Sequence, residues 1–120
     1  MPFAKKLLIR TEDRENYFHG EFSCTLIPID SPDVEIPIRP LDVSARGMGF
    51  LASKELQNGG YFYLKIGETL SQLRVELAYC SNYLGIDNLF RCGLFLREEF
   101  GDLKLQCAKA GILETEEAQI

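Results

Sequence analysis

A chain of 120 residues, 46% hydrophobic and 26% charged, is large enough to bury one core without a metal or disulfide and is unlike a disordered chain in composition. Its net charge of -5 is uneven, because residues 98–120 carry six acids against two lysines, leaving residues 1–97 with eleven cations and twelve anions. That nearly neutral body lacks the positive field that draws duplex DNA or an anionic membrane, whereas a small phosphate-bearing ligand needs only a few well-placed cations.

The opening "MPFAKKLLIR" has an apolar run too brief for a signal peptide or a membrane span, so no membrane insertion and a cytoplasmic address are expected. Cys24, Cys80, Cys92 and Cys107 lie far apart and are expected to stay reduced there. With His19 as the only histidine and no CxxC pair, spacing assembles no zinc site and calls for no cofactor. "RTEDR" then sets Arg10 and Arg14 four residues apart, and a guanidinium grips phosphate oxygens or the O6/N7 edge of guanine with paired bonds. Taken alone, the pair is equally a solvated charged turn with Glu12 and Asp13.

Alternation of period two follows. Phe22, Cys24 and Leu26 share one parity, and so do Val34, Ile36 and Ile38, which predicts two half-buried strands joined at "DSPD", residues 30–33. A further strand is predicted over roughly 38–44, with Gly47 and Gly49 allowing a tight reversal into "FLAS". "QNGG", residues 57–60, is a strong turn signal ahead of "YFYLKI" and "QLRVELAY", where Leu73, Val75, Leu77 and Tyr79 share a parity. "LFRCGLFLR" closes the series with Phe90, Cys92, Leu94 and Leu96 inward; Cys80 and Cys92 face each other across that hairpin as core filler. Six or seven short strands without a helical crossover predict an all-β protein, an antiparallel β-barrel or sandwich, of which the barrel is favoured.

After Arg97 the period changes. Phe100, Leu103, Cys107, Ala110 and Leu113 mark one face of a C-terminal helix with Asp102 as N-cap, Gly111 weakening its interior and "ETEEAQI" an acidic tail. The expected organisation is a single domain made of an arm over residues 1–20, a barrel over 21–97 and the helix and tail over 98–120.

The candidate chemistry sits in "LDVSARGMGF". On an extended strand Asp42 and Ser44 project together while Leu41 and Val43 point into the core, and a carboxylate beside a hydroxyl suits the donors and acceptors of a guanine edge. The plain alternative is a turn in which Asp and Ser bond the local backbone. What joins the two regions is their order: an arginine pair ahead of the first strand, then Asp-x-Ser-x-x-Gly at a strand end.

Arg10-Thr11-Glu12-Asp13-Arg14 followed by Asp42-Val43-Ser44-Ala45-Arg46-Gly47 resembles the signature of the PilZ family, small barrels that serve as receptors for the bacterial second messenger cyclic di-GMP. The likeness spans about residues 7–97 and includes Gly93 in "FRCGLFL", where that family often has a glycine. It implies that Arg10 and Arg14 lie on an arm that folds over the barrel and grips phosphates and guanine edges. Asp42 and Ser44 would read a guanine from the barrel wall, Gly47 would keep the turn open, and Ile9 ahead of the first arginine favours a single bound molecule. Arg46 stands where relatives often have glycine and is carried as a candidate phosphate ligand. The segment "ENYFHGEFS" is longer than usual. The expectation is a cyclic di-GMP receptor that signals to a downstream protein effector, with a degenerate, protein-binding domain as the alternative. Enzymatic activity is not expected, since no nucleophile with a base and no paired acids stand out. Nor is a single-stranded nucleic-acid platform, since the charges beside Tyr61, Tyr63 and Phe95 are mixed.

Overall fold

The structure, a computed structural model, describes residues 23–68 and 72–113. The expected arm with Arg10, Arg14 and His19, Phe22 of the first expected strand and the expected acidic tail lie outside the described residues. Six strands form: β1 Cys24–Pro28, β2 Ile36–Val43, β3 Gly47–Ala52, β4 Tyr61–Ile66, β5 Gln72–Asn82 and β6 Phe90–Leu96, followed by one helix, α1 Leu103–Lys109. All pairings are antiparallel, and the order β1-β2-β3-β6-β5-β4 closes on itself through β4 and β1. Closure satisfies every strand edge from within. Only the β3-to-β4 connection joins strands that are not neighbours.

The predicted parity fills the interior. Cys24, Leu26, Ile36, Ile38, Phe62, Leu64, Ile66, Cys92, Leu94 and Leu96 are all buried. The "DSPD" joint folds as two successive turns, closed by Ser31 N to Pro28 O at 3.1 Å and Val34 N to Ser31 O at 2.9 Å. Val34 is therefore turn rather than strand, and the two strands expected over 34–44 are one, β2. "QNGG" turns as expected, with Gly60 N donating to Gln57 O and Gly59 at φ 78.

Two register shifts overturn the simple alternation. In β2 the pairing runs Pro40↔Phe50 and then Asp42↔Gly49, so Leu41 is the extra residue of a bulge and is only partly buried instead of core. Pro40 has no N–H to give to a ladder, and a bulge beside it fits that deficit. In β5 the pairing runs Leu77↔Leu94 and then Tyr79↔Gly93. Val75 and Leu77 point inward as predicted, but the shift turns Tyr79 outward, 43% exposed, and Cys80 back toward the core.

The barrel ends are closed differently. At one end α1 inserts Leu103 and Cys107, both fully buried, while Leu103 N donates to Ala45 O at 2.7 Å. At the other, Leu56 of the β3–β4 connection is buried and its N–H donates to Cys80 Sγ at 3.3 Å. Asp102 is the N-cap, its Oδ1 accepting from Leu105 N at 2.9 Å. Three helix expectations change, the first being Leu113, which is buried but lies in a β-bridge beyond the C-cap Ala110. Phe100 precedes the helix and is 83% exposed. Gly111 is outside the helix, at φ 80, with Gly111 N to Ala108 O and Ile112 N to Cys107 O bonds that form a Schellman stop. Among the described residues no helix is long and apolar enough to cross a membrane.

Two left-handed positions differ in their fitness and yield opposite expectations. In the β5–β6 turn Ile86 N donates to Tyr83 O with Leu84 at φ 56 and Gly85 at φ 72, the sign pattern of a type I′ turn, which favours Asn at the first place. Leu84 is 77% exposed, so no packing offsets its left-handed backbone. Leu84→Asn is expected to raise unfolding free energy by about 0.5–1 kcal/mol, and Gly111→Ala to lower it by about 1 kcal/mol, both read from urea midpoints.

Candidate ligand-binding site

The motif hairpin is built by the β2 bulge and a short turn. Val43 is fully buried, and the partly exposed Asp42 and Ser44 on either side of it face outward. Ser44 N donates to Gly47 O at 2.9 Å, closing a turn over Ala45 and Arg46. Ser44 Oγ lies 3.5 Å from the same carbonyl, at the limit of a hydrogen bond, so its hydroxyl is only weakly engaged. Neither Gly47 nor Gly49 is among the glycines of positive φ, so the reversal does not depend on their backbone freedom. Gly47 instead opens β3.

Gly49 is required for space. Its N–H donates to Asp42 Oδ1 at 3.2 Å, and Arg91 Nη2 donates to Asp42 Oδ2 at 3.3 Å. Arg91 sits opposite Leu51, two residues along β3, and its guanidinium passes over Gly49 to reach the carboxylate. A Cβ on Gly49 would stand 2.9 Å from Asp42 Oδ1 and 3.2 Å from Arg91 Nη2. Gly93 has a matching role on the other side, where a Cβ would collide with the ring of Tyr79. The ring thus covers a glycine on the neighbouring strand, a cross-strand pairing that compensates for the missing side chain.

Register lines these residues up as Asp42, Gly49, Gly93 and Tyr79 across β2, β3, β6 and β5. Where the two glycines leave the wall bare, a cleft of about 340 Å³ opens on the outside of the barrel. Ser44, Arg46, Gly47 and Gly93 line it, together with Gly49 and the aromatic rings of Tyr79 and Phe95. Asp42 adjoins it through its bond to Gly49. Arg46 is turned aside: Nη1 donates to Gly101 O at 3.2 Å and Nη2 to Glu98 O at 2.6 Å. Its guanidinium ties the β2–β3 turn to the segment between β6 and α1.

A larger recess, about 600 Å³, lies elsewhere between the 57–61 turn, Asp30, Arg74 and Arg97. Arg74 pairs with Glu98 at 3.8 Å and Arg97 with Glu76 at 3.6 Å, so its charge is largely balanced from within. We favour the smaller cleft because Ser44, Arg46, Gly47 and Gly93 line it. The sequence reading missed Arg91 and Tyr79, which border it. Arg91 carried a signal in its position directly before Cys92-Gly93 on the outward parity; Tyr79 carried none, because the bulge that exposes it left no turn residue behind. Burial pushes the Cys24 thiol up to about 12 and also raises Cys107, which suits inert core thiols, while burial and the adjoining Cys80 raise Cys92. Among the described residues no group of His, Cys, Asp and Glu is placed to hold a metal ion. No family model matches the chain, and neither does any curated protein or solved structure.

Space at Gly49 and the ion pair above it should be coupled. Gly49→Ala is expected to cost about 1 kcal/mol in a urea melt, and clearly less in an Asp42→Ala background, where the carboxylate it crowds is gone and Arg91 is released from it. An equal penalty in both backgrounds would show that the pair does not set the requirement.

Proposed function

We propose that the chain is a PilZ-like receptor for cyclic di-GMP and that it signals by binding, without chemistry of its own. The observation that supports this reading is convergence: Ser44, Arg46, Gly47 and Gly93, chosen from a sequence pattern spread over fifty positions, border one cleft, with Asp42 beside it. The cleft has the volume of a modest ligand pocket, and Tyr79 and Phe95 offer aromatic surface to a flat heterocycle. A guanine lying there meets a carboxylate at Asp42, a loosely held hydroxyl at Ser44 and the guanidinium of Arg91. Arg10 and Arg14 supply the phosphate contacts, and their closure over the barrel alters the surface offered to a protein effector. Arg46 holds the turn through backbone carbonyls and leaves the phosphates to the arm.

The second reading, a domain that binds a protein and no nucleotide, has its own support. Asp42 is already bridged to Arg91, and Leu84 and Ile86 stand exposed at the β5–β6 turn.

Titration calorimetry with cyclic di-GMP separates the two. Binding at micromolar ligand is expected, with Arg14→Ala and Asp42→Ala each weakening it by about 1–3 kcal/mol, the scale of a lost charged or bidentate contact. Absence of heat at tens of micromolar ligand favours the protein-binding reading, and unchanged affinity in both variants moves the site away from this cleft.

A further inference from the structure

Cys80 and Cys92 are directly opposed on β5 and β6, with their sulfurs 3.2 Å apart. Opposed residues on antiparallel strands have Cα atoms about 4.5–5.5 Å apart, inside the span of about 4.4–6.8 Å that a disulfide bridges. The two sulfurs need to approach by only about 1.2 Å to reach bonding distance. They differ in access: Cys80 is partly exposed and Cys92 is fully buried beneath it. The Leu56 N–H holds Cys80 Sγ in place from the β3–β4 connection.

We infer that Cys80 and Cys92 are a reversible oxidation site that closes an intramolecular disulfide across the β5–β6 seam in response to hydroperoxides. Cys80, the accessible partner, reacts first: its sulfur attacks the O–O bond of ROOH, forming a sulfenic acid and releasing ROH. The Cys92 sulfur then attacks Cys80 Sγ, its proton leaves with the displaced hydroxyl as water, and the S–S bond forms. Two thiols lose two hydrogens and two electrons, which reduce the hydroperoxide to alcohol and water. A reductant thiol reverses the bond by exchange at the partly exposed Cys80.

Position gives the bond a consequence. Tyr79 precedes Cys80, while Arg91 and Gly93 flank Cys92, so the cross-link fixes the strands whose outward residues are the Asp42 partner and the ring-covered glycine of the cleft wall. The remaining thiols lack these features. Cys24 and Cys107 are both buried, so neither offers the accessible sulfur that Cys80 does.

The full chain is treated with excess hydrogen peroxide and analysed by intact mass and non-reducing peptide mapping. The expected result is a loss of two hydrogens, one peptide cross-linked through Cys80 and Cys92, its disappearance after dithiothreitol, and shifted amide resonances of Gly93 and Gly49 in the oxidised form. Cys80→Ser, at a partly exposed position, should abolish the cross-link, and Cys24→Ala should retain it. Oxygen adducts on Cys80 without a cross-link, a bond between two chains, or an unchanged mass would each overturn the inference.

Discussion

Closing six antiparallel strands gives each residue one of two destinations, the packed interior or the outer wall, and along a regular strand parity alone decides which. Only an inserted residue can move a side chain from one to the other. The barrel uses this device twice, at Leu41 in β2 and between Leu77 and Tyr79 in β5, and both insertions border the cleft. Without the first, Asp42 and Val43 would exchange faces. Without the second, the Tyr79 ring would compete with Leu77 and Leu94 for the interior instead of covering Gly93.

The glycines follow from the same geometry. Gly49 and Gly93 are opposed on β3 and β6, so two adjacent strands present bare backbone at one height of the wall. Large neighbours then cross that gap from both sides, Arg91 toward Asp42 and Tyr79 over Gly93. Absent side chains therefore both create the recess and allow the contacts that border it. Five other glycines serve the backbone itself, of which Gly111 ends α1 at an angle that other residues resist.

Arg46 and α1 connect this wall to the barrel end. The guanidinium reaches two carbonyls of the β6–α1 segment, and Leu103 N returns a bond to Ala45 O. A turn that would otherwise be a free hairpin tip is thereby anchored to the element that plugs the interior with Leu103 and Cys107. The polar rim and the apolar plug are parts of one assembly.

Alternating apolar residues, the "DSPD" and "QNGG" turns and the Asp102 cap were legible in the sequence because each is local: hydrophobic period, turn chemistry and capping act over a few residues. Those signals determined an all-β barrel with a closing helix, and the strand-end pattern marked Asp42, Ser44 and Gly47 as positions of interest, whereas Gly93 was marked only by the family resemblance. The bulges, the reach of Arg91 to Asp42 and the exposure of Tyr79 belong to the tertiary structure. A register shift depends on the partner strand as much as on the strand that carries it, and residues 42 and 91 become neighbours only once β3 lies between β2 and β6. Local chemistry chose the elements, and closure of the barrel decided which of their side chains meet.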